Sequence, residues 1–407
     1  MKFISNLHKK IESFSSRKQN FIYVFLIVLF GIIIYSNSFN NEFVWDDEDN
    51  IYNNAYIQDW KYLPNYFTEN VVAGARKVSN YYRPMVLLTY SVDYKIWKLN
   101  VFGYHLSSFL FHIISAILLY YLVLLLLNKK PVAFLTSLFF TIHPIQPEAV
   151  AYMAGRADPQ ATMLIMASAV LFFSLRKYKN IYLKSSFYFL SLIFFVVALF
   201  SKESMALFPG ILVFIDFCFF EKKLNFKPIK RMILRVVPFL AIVVGYVMLR
   251  LTTLNFSNTL NFYNHQNIYS SNLGIRLLTL FKVLPEYFRI LIWPTDLHME
   301  RSTPLVTSIF DPSFFVFIVF ALVIIYIIKS TWNNTKLYFF GFGWFFIWLL
   351  PYSNIFPINA IYMDHWLYMP SIGFFLMISN LYDKFKWKKE YLTYLLISLW
   401  CSFHLEL

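Results

Sequence analysis

Apolar runs of about 17–25 residues, the length needed to cross the hydrocarbon core of a bilayer, recur along this chain with polar connections between them. They fall at 20–37, 103–127, 132–150, 159–175, 183–200, 204–220, 233–251, 312–328, 337–353, 367–382 and 391–407. This pattern predicts an all-α polytopic membrane protein with about 11 transmembrane helices. Two longer stretches, 38–102 and 252–311, interrupt the alternation. Within the second, 276–293 has the apolar content of one more helix. Counting it as a full span, however, would invert every later connection. Its charges Lys282, Glu286 and Arg289 fall at i, i+4 and i+7 on one helical face, so it is read as an interfacial or re-entrant helix. The aromatic-rich piece Asp59 to Phe67 is read as a companion lying flat at the same interface.

Composition agrees with the pattern. The chain of 407 residues is 58% hydrophobic and 21% aromatic, with a mean hydropathy of +0.54, more apolar surface than a soluble domain can hide. The first run follows Lys2, Lys9, Lys10, Arg17 and Lys18 without a small-residue cleavage site, as in a retained signal anchor. No internal repeat or low-complexity linker divides the rest. The expected organisation is a cytoplasmic segment, 1–19, and one membrane domain, 20–407. Cys218 and Cys401 lie in apolar runs without metal-ligand spacing and read as small buried hydrophobes.

Charge then orients the spans. A net charge of +14 raises the question of nucleic acid, but its distribution answers it. The N-terminal segment and the stretches around Lys129, Arg176, Lys222–Arg235, Lys329–Lys336 and Lys384–Lys389 hold 23 of the 36 Lys and Arg residues and only four acids. The intervening connections are acid-rich. Such asymmetry is the positive-inside rule, so the partner is a membrane and no nucleic acid is expected. It places the N-terminus in the cytoplasm and both long stretches, 38–102 and 252–311, on the other side.

Three groups of residues on that far side could carry chemistry. Asp46 and Asp47, in Trp45-Asp46-Asp47-Glu48-Asp49, follow the first span, where a carboxylate can take a proton from a hydroxyl nucleophile. The alternative is a solvated acidic loop that only reinforces topology. A divalent metal on Asp46, Asp47 and Asp49 is a further alternative, but the DxDxDG pattern is absent and no metal or other cofactor is indicated. Next, His143-Pro144-Ile145-Gln146-Pro147-Glu148 closes the third span on a turn, and a helix from Glu148 would bring Tyr152 and Arg156 onto its face. Third, Arg83, Arg156, Lys202 and Arg250 are cations on the acidic side. A lipid phosphate would account for them, and so would internal pairs such as Lys202 with Glu203 or Arg156 with Asp158. The Pro-rich 350–357 stretch and the Asp364-His365-Trp366 turn are read as a wall of the same cavity, since irregular backbone at membrane depth must be buried or line a cavity.

The ordered series WDDEDNI, YYRPMVLLTYSVDY, FGYHLSSFLFH, HPIQPEAVAYMAGRAD, SKES and PYSNIFPINAIYMDHWLYMPSIGF, over about residues 40–382, resembles a known family. It is similar to the membrane domain of the transmembrane-and-tetratricopeptide-repeat O-mannosyltransferases and their bacterial relatives, in the GT-C class. The resemblance implies a GT-C-like fold and a glycosyltransferase that takes a sugar, with mannose as the candidate, from a polyprenyl-phosphate donor to a hydroxyl of a protein or glycan acceptor. It implies Asp46 or Asp47 as catalytic base, with His143, Glu148, Asp158, Asp364 and His365 lining the donor and acceptor cavity. Arg83, Arg156 and Lys202 are its candidates for the lipid phosphate. The implied address is the inner membrane of a bacterium or the endoplasmic reticulum of a eukaryote. Two departures stand out: Asp364-His365 replaces a Glu-Arg pair usual before the LYxPSxGF segment, and no tetratricopeptide repeats are present. A lipid or glycan transporter, or a non-catalytic membrane scaffold, are the competing readings; a transporter would be expected to show internal repeats.

Overall fold

The computed structural model describes residues 14–220, 226–256, 267–358 and 360–385. The predicted span 391–407, Cys401 and most of the Lys384–Lys389 stretch lie outside them. The described residues are helical, with one isolated antiparallel bridge, Arg301 to Tyr362.

Helix α1 covers Ser16–Tyr35, with Ser15 accepting from the Lys18 amide as its N-cap. After the long first connection come α2 (Pro84–Trp97), α3 (Val101–Leu127) and α4 (Lys130–Ile142). A short helix, α5 (Pro147–Ala151), leads into α6 (Ala157–Ser174), then α7 (Ile181–Leu199), α8 (Phe208–Phe219) and α9 (Phe226–Leu251). The remainder holds α10 (Leu273–Ile292), α11 (Pro312–Thr331), α12 (Leu337–Leu349) and α13 (Ser371–Phe385). Among the described residues six helices are long and apolar enough to cross a membrane: α1, α3, α6 with its preceding turn, α7, α9 and α11.

Burial sorts these helices into a centre and a rim. Of the window spanning α6, 67% is buried, against 6% for α11. Helix α3 packs on α4 and α6, α6 on α7, and α4 on α1 and α13, while α12 lies along α13. Small polar residues knit the centre, as expected where lipid removes the hydrophobic drive between helices. Ser168 and Ser191 bond to each other's hydroxyls and carbonyls across α6 and α7. Gln160 reaches Met85 O and Ser201 Oγ. Gly373 lets α13 lie close to α12, since a Cβ there would run into the Gly341 carbonyl.

Two expectations change. The third span, read as 132–150, ends at Ile142, where His143 turns extended and Pro144 blocks continuation. At 13 residues, α4 is about 20 Å long at 1.5 Å per residue. Nor does a helix run from Glu148 to Arg156: α5 stops at Ala151 and Tyr152 is extended (φ −85°, ψ 118°), so Glu148, Tyr152 and Arg156 point to three different partners. The stretch 276–293, read as an interfacial or re-entrant helix, forms the 20-residue α10, packed against α11. Its Arg276, Tyr287 and Leu291 all bond to irregular connections, at Asn354 and Ile355, Met363 and His143 respectively.

Candidate active site

The acidic loop is held by its second carboxylate. Asp47 is 1% exposed, and its Oδ1 accepts the Ala154 amide at 2.6 Å while Oδ2 accepts the Val44 amide at 3.2 Å. Burial pushes this carboxyl up to about 6, against the pull of the Val44, Ala154 and Met153 amides. Asp46, in contrast, is exposed, and its amide donates to the Tyr152 hydroxyl at 3.2 Å. Trp45 makes the turn in the left-handed region (φ 52°), which costs a β-substituted residue about 1 kcal/mol or more. The two adjacent acids therefore have different surroundings: one is clamped by main chain, the other open.

The connection that holds Asp47 also carries Glu148. This carboxylate grips residue 365 twice, accepting its main-chain amide at 2.9 Å and meeting its ring Nδ1 at 2.6 Å. Burial raises the Glu148 pKa while His365 lowers it. Gly155 closes the connection; a Cβ there would meet the Glu148 carbonyl at 3.1 Å. Asp364, beside His365, is taken by Arg301 at 2.6 Å through Nε and by the His298 amide at 2.8 Å. Arg301 is a site residue that local spacing could not rank. Its signal is being another cation on the acid-rich side.

Cations from distant segments complete the region. Arg83 is bidentate to Glu203, at 2.9 and 3.3 Å, and lies 4.4 Å over the Tyr81 ring. Burial would raise the Glu203 carboxyl, but Arg83 and then Lys202 overcome it and hold it at about 2. Lys202 is buried, bonds Asp158 at 2.5 Å, and sits 5.5 Å over Tyr352, which stacks on Trp366. The rim of the site thus runs continuously from Arg83 through Lys202 and Trp366 to His365.

Not every expected residue faces that rim. Arg156 is fully buried, donating to Asp93 at 2.5 Å, Ser108 Oγ at 3.0 Å and Tyr104 O at 2.7 Å, with Tyr90 stacked at 4.5 Å. Its donors are spent on protein, so it ties α2, α3 and the 153–156 turn together. It pairs with Asp93, whereas Asp158 pairs with Lys202 and Glu203 with Arg83. His143 is likewise enclosed, with Nδ1 accepting the Ile145 amide and Nε2 on Leu291 O, which makes it the C-cap joining α4 to α10. Arg250 is buried and donates to Asn80 O and Leu254 O. Asp49 is drawn away to Lys77 at 2.6 Å. Among the described residues no three His, Cys, Asp or Glu side chains gather as a metal site.

These residues occupy the C-terminal ends of α4, α7 and α12 and the N-terminal ends of α3, α6, α8 and α13. In an alternating bundle those are one end. Lys130, Arg176, Lys177, Lys329 and Lys336 mark the other.

Comparison with known proteins bears out the resemblance in the motif series. The chain is 24% identical over 90% of its length to "Protein O-mannosyl-transferase F38B6.6" of Caenorhabditis elegans, covering 52% of that protein. It is 24% identical, again over 90% of its length, to "Protein O-mannosyl-transferase TMTC3" of Homo sapiens, covering 43% of it. A shorter stretch, 33% of the chain, is 31% identical to "Protein O-mannosyl-transferase TMTC1" of Homo sapiens. The chain spans about half the length of the curated relatives it matches. No family model and no solved structure matches it.

Proposed function

We propose that this chain is a GT-C-type membrane glycosyltransferase that moves a sugar, mannose by kinship with the named relatives, from a polyprenyl-phosphate carrier to a protein hydroxyl. The reaction is placed at the non-cytoplasmic end, with the N-terminus in the cytoplasm; a glycan hydroxyl would suit the same chemistry. The observation that carries this reading is the split acidic pair. Geometry precedes pKa in choosing a base. Asp47, although its carboxyl sits near 6, has both oxygens on amides and almost no exposure. Its role is to fix the loop on the 153–156 turn.

Asp46 is then the base. An acceptor hydroxyl beside Asp46 loses its proton to the carboxylate as its oxygen attacks the sugar C1. The C1–O bond to phosphate breaks with its electron pair on the phosphate. Arg83 and Lys202 contribute positive potential along the rim, through pairs whose carboxylates Glu203 and Asp158 already hold them in position. Glu148, Asp364 and His365 continue the same rim beyond the Tyr352–Trp366 stack.

The test is donor choice by the purified protein. Labelled mannose should pass to a Ser/Thr peptide from a polyprenyl-phosphate carrier and not from a nucleotide sugar. Transfer from the nucleotide sugar alone would reject the lipid-donor reading, and lipid translocation without transfer would favour a transporter.

A further inference from the structure

The cations on or behind this rim have carboxylate partners: Arg83 with Glu203, Lys202 with Asp158, Arg301 with Asp364 and, more distantly, Asp296, and the enclosed Arg156 with Asp93. Glu148 with His365 is the exception in kind, because its cation exists only when the imidazole is protonated. The Glu148 carboxylate fixes Nδ1–H, and the main-chain bond from residue 365 to the same carboxylate locks the ring's direction. The ring's remaining nitrogen, Nε2, has no protein partner among the described residues, and the side chain is 22% exposed. The groups around it are Glu148 from α5, and Asp364 with its Arg301 from the stretch after α10. Beyond the Trp366–Tyr352 stack stands Lys202 with its Asp158.

A sugar–phosphate–polyprenol donor is a diester carrying one negative charge, whereas the released polyprenyl phosphate is a monoester that can carry two. Transfer therefore creates negative charge that Arg83 and Lys202, already paired with Glu203 and Asp158, answer only in part. We propose, resting on the reading above, that His365 is a catalytic residue whose Nε2–H is donated to the departing phosphate oxygen, with Glu148 as its positioning residue. As the C1–O bond breaks, its electron pair goes to that oxygen and the proton of imidazolium His365 follows. The acceptor's proton goes to Asp46, and the new C1–O bond forms to the acceptor. Charge balances: donor monoanion, aspartate and imidazolium become phosphate monoanion, aspartic acid and imidazole. Water then resets both groups.

The site should thus take up a proton when it binds the monoester and none when it binds the diester. Calorimetric titration of a short-chain polyprenyl monophosphate into the full-length protein, in two buffers of different ionisation heat at mildly alkaline pH, reads this directly. Wild type should take up about one proton per monoester bound. His365→Arg, which supplies a fixed cation, should bind it with none. In transfer assays the wild-type kcat should fall about tenfold per pH unit on its alkaline side, with donor KM little changed. That limb should vanish in His365→Arg, and His365→Gln should lose about 100-fold in kcat at every pH.

Equal proton uptake in wild type and His365→Arg, or none in wild type, overturns the role of His365 while leaving glycosyl transfer standing. Absence of both lipid binding and transfer in the wild type overturns the underlying function instead.

Discussion

Two neighbouring aspartates with the same chemistry are separated by about one residue's turn and by nearly all of their solvent. The acid cluster was conspicuous in the sequence because so few charges surround it, yet nothing in WDDEDNI distinguishes Asp46 from Asp47. The distinction comes from Val44 and, above all, from Ala154, a hundred residues away. It has a thermodynamic signature. The Asp47 carboxyl is raised from 3.8 to about 6, so the folded state binds the extra proton between those values. Stability accordingly falls as pH rises through that window, by an amount on the order of 3 kcal/mol. Relative to Asp47→Asn, whose amide does not titrate, the wild type should lose thermal stability from pH 4 to pH 6. Parallel stability curves for the two proteins over that range would contradict the burial account. The same substitution also sets an NH2 against one of two amide donors, which should cost about 1–3 kcal/mol at neutral pH.

At the scale of elements, six of the predicted spans coincide with helices long and apolar enough to cross a membrane among the described residues, because lipid imposes length and apolarity on such helices. The ends were less readable. The third span stops at Ile142 because of Pro144, and the extended Tyr152 sends Glu148 and Arg156 to different partners. Pairings between elements were unreadable in principle: Arg83 with Glu203 and Arg301 with Asp364 join residues far apart in the chain, and spacing encodes neither. Two element contacts can be tested. Gly373→Ala should separate α12 and α13, because the new Cβ meets backbone, not a movable side chain; overpacking of this kind costs about 1–3 kcal/mol. Unchanged thermal inactivation of that variant would refute the close approach. The Arg83–Glu203 pair pins the start of α2 to the α7–α8 connection. With Glu203 lowered from 4.5 to about 2, its contribution is complete above 4.5 and is lost as pH falls toward 2. Hydrogen exchange of the α2 amides in Glu203→Gln should therefore be faster than in wild type at pH 7, and the gap should narrow on acidification. An equal rate at pH 7 would remove the pair's anchoring role.

For the whole molecule, the charge asymmetry of the sequence predicts a cytoplasmic N-terminus and a non-cytoplasmic end that carries Asp46, Glu148, Asp364 and the paired cations. A cysteine placed at exposed Val78 should react with an impermeant maleimide from the non-cytoplasmic side, and one at exposed Tyr182 from the cytoplasm; the reverse pattern would invert the topology. The two halves of the acidic pair then carry the central claim, that an open carboxylate held in place by a buried one activates an acceptor hydroxyl. The most direct measurement is transfer of labelled mannose from a polyprenyl-phosphate donor by Asp46→Asn, alongside its melting temperature. The account predicts wild-type melting and a rate at least about 100-fold down. A folded Asp46→Asn enzyme turning over at the wild-type rate would contradict it.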